Sequence, residues 1–511
     1  MGANISKPSD AAIQEELIER LQAFKVKDGH TFSEKDGYVY VDDEARPRPS
    51  YVPYKQDVSA TAIAEWEKEL MEDPKNRLAL AALSSNPANA VLSSRSTQIS
   101  DTQNFNIKIP LEGSPITNQA SSGRCWLFAS TNVFRIAIMK KYRLSEFQLS
   151  QSYLFYWDKL EKANFFLENI LDTVGEDIDS RLVQSLLAAP VSDGGQWDMV
   201  ANLVGKYGLV PQSLYPDSFN ATNSSTMNRI ITTKLREDAI RLRTIASRAN
   251  SPEALKSTVA ALKEKMLREV HLILTLMLGP PPAANEPFTW EYYDSDGNFK
   301  SVKTRPTAFA KELSDSRTVR MLGGTDVHRL FSLVNDPRNP YNRLLSVKRL
   351  GNIWEGHPVT YVNVDMTTMK NACIDMLKKG FPVFFGSDVG KYSDSSKGIM
   401  DTDLFEYELG FNIKLGMKKS ERLQTGESQM THAMVLTAVH VVDDKPVRWR
   451  VENSWADRVG DKGYFVMSDA WMDEFVYQAV VDPMVVSAAV RKVLEQKPKM
   501  LELWDPMGAL A

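Results

Sequence analysis

The sequence predicts an α+β fold whose two halves differ in kind. Apolar residues at helical spacing dominate as far as about residue 278, whereas beyond about His357 short apolar or alternating runs follow one another between turn signals, as in a sheet or half-barrel. A composition of 43% hydrophobic and 25% charged residues suits a soluble chain with an ample core, and 511 residues leave room for large insertions or two to three domains. The formal net charge of −4 gives no overall reason to expect nucleic acid or an anionic membrane as partner.

Residues 9–25 predict an amphipathic helix with Ile13, Leu17, Leu21 and Phe24 on one face. A short strand and a Pro-rich connection fill 36–54, a second helix spans 59–84, and the Ser-, Asn- and Thr-rich stretch 84–102 reads as a crossing loop. Residues 104–218 predict a compact unit with a strand at 105–109, a helix opening at Cys125, and helices near 150–168 and 179–188. Gly194-Gly195 in this unit serve either as a tight turn or as backbone left bare for an extended peptide to pair with. Two long helices divided at Asn250-Ser251-Pro252 fill 226–278, and a hairpin turns at Asp296-Gly297. Strands are expected at 359–364, 382–387, 433–442, 447–452, 463–467 and 479–481. The tail carries Trp504, Met507 and Leu510 and is expected to pack rather than float.

Two cysteines cannot form a disulfide framework, which points to a reducing compartment. The N-terminus shows no apolar signal region, and the strongest apolar run, near 272–278, falls far short of a membrane span. Met1-Gly2-Ala3-Asn4-Ile5-Ser6 fits N-myristoylation at Gly2, which would give reversible membrane association; a chance match is the alternative. Between Met227 and His271 ten basic residues face five acidic ones. That excess fits a solvated helix face better than a weak DNA- or RNA-binding surface.

Cys125 stands where a polar loop meets the apolar run Trp126–Ile138, hence in the first turn of a buried helix. The helix dipole and unpaired N–H groups there favour the thiolate, although a free cysteine is more often a small core residue. A thiol nucleophile also needs a base, a group to orient that base and donors for an oxyanion. Of six histidines, His432 begins an apolar strand, and Asn453-Ser454-Trp455 ends the next one. Neighbouring strands would set His432 and Asn453 side by side, with Trp455 to shield their hydrogen bond. Cys373 lies in an apolar helical stretch and is assigned to packing.

Gln119, Cys125-Trp126, His432-Ala433 and Asn453-Ser454-Trp455, in that order, resemble the papain-type cysteine peptidase signature. Gln148-Leu149-Ser150-Gln151, Gly194-Gly195, Gly208-Leu209, Tyr215-Pro216 and Gly463-Tyr464-Phe465 extend the match over 104–218 and 358–482. Two departures qualify it. The cysteine that neighbours the nucleophile in secreted relatives is missing, and the Cys–His separation of 307 residues (432 − 125) exceeds the usual ~130–150. The extra helices, the hairpin and the ending Asp505-Pro506-Met507-Gly508-Ala509-Leu510-Ala511 resemble the bleomycin hydrolase branch of that family.

The resemblance implies a papain-like fold, a helical half plus a β-barrel-like half, with a helical insertion and an N-terminal hook-like extension. It divides the chain into 1–103 (arm and hook), 104–225 (helical half), 226–356 (insertion), 357–482 (β half) and 483–511 (C-terminal arm in the cleft). It implies a cytoplasmic aminopeptidase, with a mitochondrial or membrane-associated fraction allowed, acting on peptides and amide analogues such as bleomycin through a thioester. No cofactor or metal is expected, and the assembly is a homohexamer. Cys125 is then the nucleophile, His432 its acid–base partner, Asn453 the orienting group and Gln119 an oxyanion donor. Gly194 and Gly195 bind substrate, and the Ala511 carboxylate meets the substrate's α-amine. Relatives often carry one further residue that the enzyme trims, so Ala511 is either the encoded or the trimmed end. The alternatives are a papain-like endopeptidase made as a proenzyme and a nucleic-acid-binding protein with secondary peptidase activity.

Overall fold

The computed structural model describes residues 58–248, 252–311 and 329–510, and the backbone of the antiparallel pair Ser33–Lys35 and Tyr38–Tyr40. Gly2, the helix expected at 9–25, the Ser251 cap and Ala511 lie outside the described residues. Contacts divide the chain into two units, before and after Arg77/Leu78. In the first, Ser59 Oγ caps the helix Ala60–Glu72, none of whose residues is buried. The single helix expected over 59–84 is two, because Pro74 lacks an N–H to continue the ladder and opens Pro74–Leu83 instead.

The second unit is built on one sheet. In spatial order its strands are Ser393–Asp394, Ile399–Met400, Tyr464–Ser468, Lys445–Glu452, His432–Val442, Val383–Ser387, Val476–Val481, Phe331–Val334, Tyr361–Asn363, Arg343–Val347 and Lys499–Leu501. Ile107–Lys108 pairs off this path with Ala438 and Val439. Antiparallel registers set Val435 opposite Glu452 and His432 opposite Ser387. Continued beyond Glu452, the register carries Asn453 to the sheet end where His432 begins. Phe331–Val334 and Arg343–Val347 come from the stretch read as helices and hairpin. Phe331–Val334 is buried on both faces and Arg343–Val347 at all but its first residue, so neither shows the alternation that marks a half-exposed strand.

The helix Cys125–Tyr142 packs against the sheet, its burial nearly continuous from Cys125 to Met139. Phe134, Trp197 and Phe384 meet edge to face at 5.5 and 5.3 Å and join this helix, the helix Trp197–Tyr207 and the sheet. Ser150 caps Gln151–Asp172 by accepting from the Tyr153 N–H. Ser225–Ala246 lies along that helix, burying Met227, Ile231, Leu235, Ala239 and Leu242 as one stripe at helical spacing. Pro252–Leu278 does the same with Met266, Val270, Leu274 and Leu278.

Several basic residues of these two helices are engaged within the chain. Arg236 and Arg243 donate to carbonyls of Leu187, Ala188, Thr173 and Glu176, while Lys234, Arg241, Lys263 and Arg268 pair with carboxylates. The stretch expected as a loop at 84–102 holds the short helices Ala88–Val91 and Arg95–Ser100, the second capped by Ser94. The hairpin forms as expected, Phe288–Tyr293 against Phe299–Thr304, with Asp294 Oδ1 accepting from the Asp296 and Asn298 N–H groups. Among the described residues no helix is long and apolar enough to cross a membrane. The tail packs: Lys499–Leu501 runs parallel to Arg343–Val347, Met507 is buried, and the Arg181 guanidinium lies 4.3 Å from the Trp504 ring centre.

Candidate active site

Cys125 is the first residue of its helix and 2% exposed. The Arg124 carbonyl begins the helix ladder at the Leu127 N–H (2.9 Å). Burial pushes the thiol up to about 11, while hydrogen bonds from the backbone N–H groups of Ala433, Trp126 and Cys125 itself act the other way. The helix-start argument for a thiolate is therefore outweighed by desolvation in the closed site. The Ala433 contact also fixes the geometry, since Ala433 follows His432: the sulfur lies at the sheet end where the histidine stands.

His432 Nε2 is 2.8 Å from Asn453 Oδ1. That oxygen also accepts from the Ser454 backbone N–H at 2.8 Å, an obligate donor, so the imidazole must carry its proton on Nε2 and leave Nδ1 basic. Burial pushes His432 down to about 4, and the Asn453 hydrogen bond opposes this. Trp455 stacks on the imidazole with ring centres 4.7 Å apart and planes inclined by 29°, covering that bond from water.

Gln119 is joined to the same strand end. Its N–H donates to Ser454 O (2.8 Å) and its Oε1 accepts from Ser454 Oγ (2.7 Å). Ala456 N–H donates to Thr117 O (3.1 Å), so the loop before Cys125 and the segment after Asn453 pair like strands across the two halves. Gln119 Nε2 spends one hydrogen on Ser122 O (2.7 Å) and keeps a second. Arg124, fully buried, makes a two-pronged pair with Asp217 at 2.9 Å for each nitrogen.

Gly194 and Gly195 stand beside Trp126. A Cβ on Gly195 would lie 2.6 Å from Trp126 ring carbons, so close packing of the indole is one reason for this glycine. The Gly194 carbonyl accepts from Lys162 Nζ at 2.6 Å. The next residue, Gln196, donates from Nε2 to the carbonyl of Ala509 at 2.7 Å. The last described residues of the tail thus sit against the loop that packs on Trp126, beside Cys125.

A model described as the Peptidase C1-like family matches residues 57–508. The chain belongs to the Peptidase C1-like family. "Cysteine proteinase 1, mitochondrial" of Saccharomyces cerevisiae (strain ATCC 204508 / S288c) is 42% identical over 464 residues, covering 89% of this chain and 93% of the yeast protein. "Aminopeptidase C" of Lactobacillus delbrueckii subsp. lactis is 39% identical over 461 residues, covering 89% and 99%. The crystal structure of pepw from Lactobacillus rhamnosis HN001 superposes with a TM-score of 0.84 at 40% identity, covering 89% of this chain and 99% of that one. The fold is papain-like and the protein a cysteine peptidase.

Asp193, Lys159 and Gln196 also build this region and were not among the expected site residues. Asp193 was legible only as a turn residue before Gly194-Gly195, although Lys159 and Lys162, three apart on a mostly apolar helix, were a signal that a buried acceptor faced them. Cys373 is a packing residue as expected: fully buried in Met366–Lys378, with its thiol pushed up to about 12 by burial.

Proposed function

We propose that the chain is a cysteine aminopeptidase that removes N-terminal residues from peptides through a thioester on Cys125. His432 Nδ1 takes the thiol proton as Sγ attacks the scissile carbonyl carbon. The S–C bond forms, the amide C–N bond breaks, and the imidazolium returns the proton to the leaving amine. Water then splits the thioester, its proton passing through His432 to the sulfur. Asn453 holds the ring in the required tautomer, and Trp455 keeps water from that bond. The free hydrogen of Gln119 Nε2 and the Cys125 N–H are the donors for the oxyanion. Gly194 and Gly195 line the substrate's path.

The observation that carries the exopeptidase reading is the hydrogen bond from Gln196 to Ala509, which brings the tail to the cleft wall. A tail carboxylate held in the cleft would pair with a substrate's α-amine and leave no room for residues before it. The name of the Lactobacillus relative agrees with this. Amide analogues such as bleomycin fit where they offer a free amine. Paired free-amine and N-acetylated peptides test the reading. Stepwise loss of N-terminal residues from the free peptide alone is expected, and equal cleavage of both would favour an endopeptidase.

The same reading includes a homohexamer, supported by Leu409, Phe411, Ile413, Leu415 and Met417, which stand exposed in one short stretch; sedimentation should give six times the chain mass. It also includes a cytoplasmic location with a mitochondrial share, supported by the cysteine economy and by the yeast relative's name. Acylation of Gly2 and weak nucleic-acid binding by 226–271 are separate proposals, tested by intact mass and by the salt dependence of DNA affinity.

A further inference from the structure

Two loops meet beside Cys125, the polar segment 119–124 that carries Gln119 and the segment 191–196. Cys125 and Cys373 are both free, so no covalent bond ties these loops together. One residue joins them through both its side chain and its backbone. The Asp193 carboxylate accepts from the Gly123 N–H at 3.0 Å, from Asn228 Nδ2 at 2.7 Å and from Ser224 Oγ, and it pairs with Lys159 Nζ at 2.6 Å. The Asp193 carbonyl accepts from the indole N–H of Trp126 at 2.7 Å.

The joint is close-packed as well as bonded. A Cβ on Gly123 would come within 2.8 Å of Asp193 Cβ. Lys159 also donates to Val191 O at 3.0 Å, and Lys162 to Ser192 O at 3.0 Å and Gly194 O at 2.6 Å, so two buried ammoniums from one helix hold the loop's carbonyls. Burial alone would raise the carboxyl, but the Lys159 ammonium and the hydrogen-bond donors hold it well below the usual carboxylate range. Asp193 is therefore held as a carboxylate, and its charge is a lesser contribution against the nearby thiolate, behind burial.

We propose that Asp193 is a positioning residue of the peptidase: it holds Gly123 and Trp126, and through them the Cys125 N–H and Gln119, at the places the oxyanion requires. This rests on Cys125 acting as the nucleophile. The residue touches neither substrate nor sulfur and acts through the loops it joins.

The test compares Asp193→Ala and Asp193→Asn with wild type, reading kcat and KM per titrated active site and the pH dependence of Cys125 alkylation by iodoacetamide. Asp193→Ala should lower kcat about 10²-fold, as a displacement of the order of 1 Å does, with KM changed less than about threefold. Asp193→Asn keeps an acceptor for Gly123 and should recover part of that loss. In both, the alkylation midpoint should move to lower pH, because a negative charge near the sulfur is gone. A more readily ionised thiol would then accompany slower turnover, which a merely structural role would not produce. Unchanged kcat per titrated site, or an unmoved midpoint, would overturn the proposal.

Should neither variant fold, Ser224→Ala removes one donor and leaves the ion pair. It should lower kcat a few-fold at unchanged KM, and an unaltered kcat would count against the proposal. The alkylation arm needs no substrate. A wild type that alkylates at Cys125 yet cleaves no peptide would refute the proposed function while still deciding whether Asp193 acts on the thiol.

Discussion

Cys125 is 2% exposed, and desolvation there opposes the thiolate more strongly than the backbone N–H groups favour it. His432 is pushed the other way by the same burial, so burial opposes charge on both groups. An uncharged Asn453 suits this arrangement, since the counter-charge to an imidazolium sits on sulfur. Gln119 should matter as a donor more than as a contact. Gln119→Ala is expected to lower kcat about 10²–10³-fold with little change in KM, measured by steady-state kinetics at matched thermal stability. A loss confined to KM would assign Gln119 to substrate binding instead. Cys125 and His432, scarce residue types at telling places, and Asn453 at the end of the next strand stand out in the sequence, whereas Gln119 comes only with the resemblance to the papain-type signature. Cys125 opens a helix, His432 opens a strand, Asn453 closes one, and Gln119 precedes the cysteine by six positions. Asp193 was not legible as more than a turn residue, because its partners Gly123, Trp126 and Lys159 are brought to it only by the fold.

At the scale of elements, the site is a meeting of one helix and one strand pair. Arg135, on the cysteine helix and fully buried, pairs at 2.5 Å with Glu452, the residue before Asn453, and also donates to Pro115 O at 2.6 Å. Burial pushes the Glu452 carboxyl up and the Arg135 charge opposes it. Glu452→Gln would leave the guanidinium buried beside a neutral amide. It should destabilise the protein by about 3–5 kcal/mol in denaturant unfolding, and a loss under about 1 kcal/mol would show that the pair holds little. Elements bounded by strong local signals came out of the sequence close to where they stand. Ser150 marked the start of Gln151–Asp172, and Asp296-Gly297 the turn of the hairpin. Elements defined by burial alone did not. Phe331–Val334 and Arg343–Val347 show no clear alternation, and Arg95–Ser100 is too short for a helical period.

Over the whole molecule, the helical half carries Cys125, the sheet carries His432 and Asn453 at one end, and a tail that starts from the sheet's far edge returns to Gln196. Another buried charge lies in the sheet-rich half. Lys419 donates to Asp473 O at 2.8 Å and Val476 O at 2.6 Å, and burial pushes it down to about 7 despite Glu474 and Asp473. The folded lysine thus binds fewer protons than the unfolded one between about pH 7 and 10.5, so its contribution to stability rises with pH across that window. Unfolding free energy of wild type relative to Lys419→Met should therefore grow from about pH 7 to 10 and stay level near pH 5–6, and a pH-independent difference would contradict this. The central claim, that hydrolysis runs through Cys125 alone, is tested most directly by alkylating the native protein and mapping the adduct against residual peptidase activity. One carboxamidomethyl group at Cys125, none at the fully buried Cys373, and activity lost in proportion are the expected result. Peptide hydrolysis that persists with Cys125 fully alkylated would contradict it.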